Sequence, residues 1–326
     1  MDLSKIYRTG SPDYRKLLDN IITAASDYLE HYGIHTVVLG LSGGIDSTLA
    51  AAIWNLVGRK TECTLIGVSL PCSTNKDDEK STARLAGQEF CDEYYEQSLE
   101  SLFFTTEFTI NQLGSTGDAL LKSTPISQGN IKARLRMLYL YNIASIRGGI
   151  VSDQDQLSEH FLGFWTLHGD SFDYSILGSL WKHEVYGLAK YVQECYTFGR
   201  TEYSKALQQS IALIPTDGNG VKEGGDLAQI APGATYDIVD DILMRYIYTE
   251  SQYQEGTTER DEALSKCWDR CKELYGEETT SRVIHRYLNS KFKRYHGPVF
   301  VDAFNGITVD WNGETIIDGR NINSKE

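Results

Sequence analysis

The sequence predicts an α/β fold: a doubly wound parallel sheet flanked by helices. Two observations carry that expectation. The stretch "HTVVLG" (35–40) is β-branched and apolar, as a buried strand is, and runs through a glycine turn into the alanine-rich "DSTLAAAIWNLVG" (46–58). Short apolar runs then alternate with helical patterns to about residue 180, the order that builds a parallel sheet with helices on both faces.

Each element has its own signal. "SPDYRKLLDNIITAASDYLEHYG" (11–33) opens with Ser11-Pro12 as cap and first turn, carries an apolar stripe and stops at Gly33. After the first strand and its turn, Gly58 is expected to stop the second helix. "ECTLIGVSLP" (62–71) is a second buried strand ending at Pro71, and "NKDDEKSTARLAGQEFCDEYY" (75–95) a helix with acids in its early turns. "ESLFFTTEFTINQL" (100–113) reads as another helix and "GSTGD" (114–118) as a loop. "SQGNIKARLRMLYLYNIASIRGG" (127–149) is a long helix whose apolar positions include Ile131, Leu135, Leu138 and Ile143. "GIVS" (149–152) is a short strand and "DQLSEHFLGFW" (155–165) a short helix. Past residue 180 the pattern is mostly helical, in "WKHEVYGLAKYVQECY", "TYDIVDDILMRYIY" and "TERDEALSKCWDRCKELYG". Between them, residues 215–234 are rich in Gly, Pro and Asp and read as a long loop, of a length that is usually functional or mobile. The tail from residue 299 has two Asn-Gly turns between alternating apolar residues, a hairpin pattern. The expected organisation is one domain over residues 1–300 and a hairpin-like tail over 301–326.

Composition narrows the function classes. Acids outnumber bases 45 to 31, and a formal charge of −14 argues against a nucleic-acid or membrane-surface binder, which needs a basic field. An anionic small substrate remains open, since a site needs only local positive charge. The six cysteines have no zinc-finger spacing and read as reduced structural thiols. With no apolar leader pattern at the N-terminus and no long apolar window, a cytoplasmic protein is expected.

The glycine turn is the most informative stretch. It lacks the lysine of a P-loop, and Gly40, Gly43 and Gly44 do not fit the G-x-G-x-x-G dinucleotide fingerprint. What stands there is Ser42, Gly43, Gly44, Ile45, Asp46 and Ser47, followed by Thr48. Two glycines let the backbone approach a large anion, the hydroxyls add donors, and the helix dipole adds partial positive charge. Asp46 would repel bare phosphate, so it makes sense with a divalent cation between them. The turn suits magnesium-bound pyrophosphate.

That segment resembles the pyrophosphate loop of the N-type ATP pyrophosphatases, which have a Rossmann-like sheet. The rest of the chain, over approximately residues 11 to 300, resembles the ammonia-dependent NAD synthetase family. The stretches that carry the likeness are "SLPCSTNKDDE", "GNIKARLRM" (129–137), "SEHFLGFWTLHGD" (158–170), "LIPTDG" (213–218), "APGATYDIVDDIL" and "KFKRYHGPV". The resemblance implies a ligase that joins deamido-NAD (nicotinic acid adenine dinucleotide) to ammonia, using ATP and Mg2+ and releasing AMP and pyrophosphate. It implies ATP contacts from Gly40, Leu41, Ser42, Gly43, Gly44, Ile45, Asp46, Ser47, Thr48, Gln154, Lys182 and Thr216, with Asp46 and Glu159 as magnesium ligands. Arg134, Asp173 and Lys293 would bind the acid substrate, and Asp173 and Lys182 would serve catalysis. Lys132, Arg134 and Arg136 cannot all share one helix face, and Asp173 can equally be a loop cap. A homodimer is also implied, and the 326 residues leave no room for a glutamine amidase domain, so ammonia is the expected nitrogen source.

Several positions depart from the family pattern. Gln154 replaces a threonine that contacts ATP, Leu167 a substrate-binding lysine, Phe292 a histidine and Ser69 an arginine. Two alternatives therefore stand beside the synthetase reading: a relative that adenylates and amidates a different carboxylate, and a non-catalytic nucleotide binder.

Overall fold

Strand β1 (Thr36–Gly40) buries Val37, Val38 and Leu39 completely, a contribution of about 1.5–3 kcal/mol for each side chain. It pairs in parallel with β2 (Thr64–Ser69) on one side and β4 (Ile150–Asp153) on the other. The sheet extends outward through β3 (Glu93–Glu96) beyond β2, and through β5 (Tyr174–Ser175) and β6 (Val299–Asp302) beyond β4, all parallel. Strands β7 (Ile307–Val309) and β8 (Thr315–Asp318) then add antiparallel at the β6 edge. The computed structural model describes residues 6–8, 10–113, 123–170, 172–216, 227, 230–254, 256–295, 299–309 and 315–318.

Strand alternation sorts the helices into layers. Val37, Leu39 and Leu65 face α1 (Tyr14–Tyr32), α2 (Ile45–Thr61), α3 (Asp77–Phe90), α7 (Lys182–Cys195) and α8 (Lys205–Ala212). Val38, Ile66, Val68 and Val151 face α4 (Glu100–Leu113) and α5 (Pro125–Arg147). A third core joins the short α6 (Leu157–Leu162) to α9 (Tyr236–Ser251), α10 (Thr258–Tyr275) and α11 (Glu277–Asn289). The doubly wound parallel sheet is the fold that the sequence predicts. β2 and β4 leave β1 on opposite sides, which opens a crevice at the carboxyl ends of these strands.

Some boundaries differ from expectation for local reasons. Helix α1 is capped by Asp13, whose side chain accepts from the Lys16 N–H at 3.1 Å, rather than by Ser11. Helix α2 runs through Gly58 to Thr61; a Cβ at Gly58 would stand 2.9 Å from the Cys63 carbonyl oxygen, so that glycine serves a close approach and not a stop. The "DEYY" end of the third helical stretch is edge strand β3. The "GSTGD" loop, most of the 215–234 loop and the second Asn-Gly turn lie outside the described residues. All six cysteines are free thiols. Among the described residues no helix is long and apolar enough to cross a membrane.

Candidate active site

The glycine turn sits where β1 hands over to α2. Leu41 N–H still bonds to the Val68 carbonyl at 2.8 Å, so the chain leaves the sheet only at Ser42. The Ser42 and Ser47 hydroxyls lie 3.0 Å apart, and the Gly44 N–H donates to Ser42 Oγ at 3.2 Å, which fixes the turn. Gly43 adopts φ +86°, and a Cβ there would fall 2.0 Å from the Glu79 carbonyl oxygen of α3. Both its conformation and this contact demand glycine. Gly44 is the N-cap residue of α2 and has no capping side chain, which leaves the helix terminus available to an anion.

Gly40, Leu41, Ser42, Gly44, Ile45, Asp46 and Ser47 line a cavity of about 420 Å³. Gly43 backs the turn against α3, and Thr48 is buried inside α2. Glu159, from α6, and Lys182, the first residue of α7, reach the same cavity. Lys182 is 1 % exposed, and its ammonium donates to Asp46 Oδ2 at 2.5 Å and to Glu159 Oε1 at 3.3 Å. Two carboxylates and one ammonium sum to a single negative charge, a poor receptor for phosphate without a further cation. Asp46 Oδ1 is buried without a hydrogen-bond partner. Two carboxylates beside an anion-binding turn fit magnesium, which takes one or two protein carboxylates and completes its shell with phosphates and water. Gln154 and Thr216 also line the cavity; Gln154 donates to the Ser152 carbonyl at 2.6 Å, and Thr216 bonds to buried Glu79.

A second wall comes from residues of the 163–170 segment with α5, α11 and the 3-10 turn Lys291–Tyr295. Lys293 lines it and donates to the carbonyls of Gly163, at 2.8 Å, and Trp165. Burial and then the charge of Arg286 hold the Lys293 ammonium below its ordinary pKa. Arg286 also lines the cavity, donating to the Leu162 carbonyl at 3.0 Å with its guanidinium 5.1 Å from the Phe164 ring centre. Asp155 and Asp170 bring two carboxylates. Burial, followed by the charge of Asp153, pushes Asp155 well above the usual range; burial raises Asp170. Asp153 behind them is raised to about 7, again chiefly by burial.

Two sequence-named residues are not brought to this wall. Arg134 is exposed on α5 and donates to the Leu167 carbonyl at 3.3 and 3.2 Å; two positions on, Arg136 turns inward and lines the cavity. Asp173 spends one oxygen on the Tyr141 hydroxyl at 2.8 Å and the other on the Val151 N–H at 2.9 Å, and does not line the cavity. The carboxylate of this stretch that lines the cavity is Asp170, three residues earlier. Both Arg136 and Asp170 lie inside stretches the sequence singled out, and spacing alone does not say which side chain of each stretch enters the cavity. Ser69 lines the cavity, Leu167 is half-buried outside it, and the Phe292 side chain lies outside the described residues.

The family model described as NAD synthase matches residues 17–296. The chain belongs to the NAD synthase family. It is 32% identical over 222 residues to the NH(3)-dependent NAD(+) synthetase of Shewanella sediminis, covering 64% of this chain and 75% of that one. The protein of that name from Burkholderia cenocepacia is 30% identical over 244 residues, covering 69% and 77%. Among solved structures, the NH3-dependent NAD synthetase of Campylobacter jejuni superposes with TM-score 0.60 at 20% identity, covering 87% and 96%. An NMN synthetase from Francisella tularensis gives TM-score 0.59 at 23%, covering 82% and 97%. The chain is a ligase of this family, and ATP is the family's substrate.

Proposed function

We propose that the chain converts deamido-NAD and ammonia to NAD through an adenylated carboxylate, with release of AMP and pyrophosphate. The observation that carries the reading is the Asp46–Lys182–Glu159 cluster at an anion-binding turn, in one cavity with Asp155, Asp170, Arg286 and Lys293. A carboxylate is a poor acyl donor because its leaving group is oxide. Attack of its oxygen on the α-phosphorus of ATP expels pyrophosphate into the turn, where the N–H groups of residues 45–47 in the first turn of α2 and the Lys182 ammonium take up the charge that develops. Asp46 and Glu159 are the residues that would hold magnesium, which supplies charge neutralisation across the phosphates. Ammonia then attacks the acyl carbon and AMP leaves with the carboxylate oxygen. Asp170, raised by burial and lining the cavity, is suited to take a proton from the nitrogen nucleophile.

A homodimer belongs to the same proposal. Phe104, Phe108 and Leu113 of α4 and Ile126, Leu138 and Ile146 of α5 are exposed apolar side chains, more than half of each accessible, on two helices that pack together.

A second reading is favoured by the neutral side chains at Ser69 and Leu167, positions where the family pattern has cations. The acid would then be smaller, nicotinic acid mononucleotide, the deamido form of the nucleotide after which the Francisella protein is named. The test is pyrophosphate release with ATP, magnesium and ammonium plus either acid or neither. Release that needs deamido-NAD, with NAD formed alongside, is expected. Release with the mononucleotide alone selects the second reading, and release with neither acid overturns both.

A further inference from the structure

Helix α9 touches the catalytic cluster without lining the cavity. Its Asp240 is fully buried, and both carboxylate oxygens are engaged. Oδ1 accepts from the Ser158 hydroxyl; Oδ2 accepts from the backbone N–H of His183 at 3.0 Å and bonds its ring Nδ1 at 2.8 Å. Ser158 precedes Glu159 in the first turn of α6, and His183 follows Lys182 in the first turn of α7. Ser158 Oγ in turn accepts from the Lys182 N–H at 3.0 Å. One helical turn before Asp240, on the same face of α9, Tyr236 sets its ring 5.5 Å from the Lys182 ammonium.

A carboxylate in an apolar helical core is costly, and a well-packed apolar side chain there would serve stability at least as well. What the carboxylate adds is geometry. It fastens together the start of α6 and the start of α7, and those two turns present Glu159 and Lys182 to Asp46.

We propose that Asp240 is a positioning residue, which sets the distance from the Lys182 ammonium to the Asp46 and Glu159 carboxylates and makes ATP activation depend on the seating of α9 against α6 and α7. The claim rests on the adenylation reading for its kinetic measurement alone; nucleotide binding tests it independently. The imidazole arm of the clasp carries a positive charge more readily than an ordinary histidine: burial opposes that charge, but the hydrogen bond and charge of Asp240, with Glu184 and Asp237 adding, outweigh it.

The experiment is a double-mutant cycle of Asp240→Asn with Lys182→Met, read by affinity for α,β-methylene ATP with magnesium and by steady-state pyrophosphate release. Asp240→Asn alone is expected to weaken the analogue about tenfold and lower kcat about 100-fold, with KM for the acid substrate moved less than about twofold. In the Lys182→Met background the same substitution is expected to change affinity by less than about twofold, because the group it positions is gone. Equal losses in both backgrounds would make Asp240 a general fold support and overturn the proposal, as would unchanged affinity and kcat. Should Asp240→Asn not accumulate as folded protein, His183→Ala takes its place in the cycle, since that side chain is 23% exposed and its loss removes one arm only. If the wild-type protein releases no pyrophosphate with deamido-NAD, the substrate assignment fails while the binding cycle still decides the role of Asp240.

Discussion

The glycine-turn wall of the cavity is assembled chiefly from neighbours in sequence: residues 40–47 form a strand end, a turn and a helix start, joined by Glu159, Lys182, Gln154 and Thr216 from elsewhere. The wall around Phe164 to Asp170 draws on α5, α6, α11 and the 3-10 turn, and basic side chains hold it together. Arg134 bonds to the carbonyl of Leu167, Arg286 to that of Leu162, Lys293 to those of Gly163 and Trp165, and Arg294 to that of Phe161. These carbonyls follow or close the short helix α6, whose C-terminal end attracts cations. A cation near this site therefore has two possible employers, substrate and backbone. The first wall reveals its chemistry locally; the second has to be seen in three dimensions.

The comparison can be broken most sharply at Lys182. Lys182→Met is expected to lower pyrophosphate release about 1000-fold, because it removes a preorganised cation from the leaving group and leaves two carboxylates facing each other. Rapid-quench measurement of AMP formation checks it; a loss below tenfold would place the chemistry elsewhere.

The next test sets Asp170 against Asp173. Asp170→Asn is expected to lower kcat about 100-fold at saturating ATP, as loss of a general base does. Asp173→Asn should leave kcat nearly unchanged and lower Tm instead, since it spoils bonds to Tyr141 and Val151 worth about 1–3 kcal/mol. Kinetics and thermal melts on the two proteins decide, and the reverse pattern would restore Asp173 to the site.

Arg286→Ala should raise KM for the acid about tenfold while KM for ATP stays put, the signature of a lost ground-state contact on the second wall alone. An equal rise in both would mean that Arg286 acts only by holding Leu162 and Phe164.

The last test lies behind both walls, in the pH dependence of Asp153. Its folded pKa of about 7 lies above the ordinary carboxylate value of about 3.9, so the folded state keeps the proton longer than the unfolded chain. Its contribution to stability is therefore lost as pH rises between those values. Melting wild type and Asp153→Asn from pH 5 to pH 8 should shift the difference in Tm toward the variant up to about pH 7 and level off above it. A difference that does not move with pH would show that Asp153 is not the titrating group.

Legibility in the sequence followed the same division. "HTVVLG" and "LIGVS" announce buried strands by composition, and the "SGGIDS" turn could be read because its glycines, hydroxyls and acid perform their function within one turn. Gly58 was misread because its reason is Cys63 across a loop, and β3 because an edge strand of "EYYE" is half-exposed and has no apolar run. Asp170 and Arg136 stand inside recognised stretches, but two residues of helix rotation or three of loop decide which side chain enters a cavity. Spacing does not encode that rotation where the packing partners, α11 and the 3-10 turn, lie more than a hundred residues away.

The adenylation claim is tested most directly with deamido-NAD carrying 18O in its carboxylate. After turnover with ATP and ammonium, mass spectrometry of the products should find one 18O in AMP and none in pyrophosphate, since the carboxylate oxygen attacks the α-phosphorus and leaves with it. Label in inorganic phosphate, with ADP as the other product, would mean activation at the γ-phosphorus and would contradict the account.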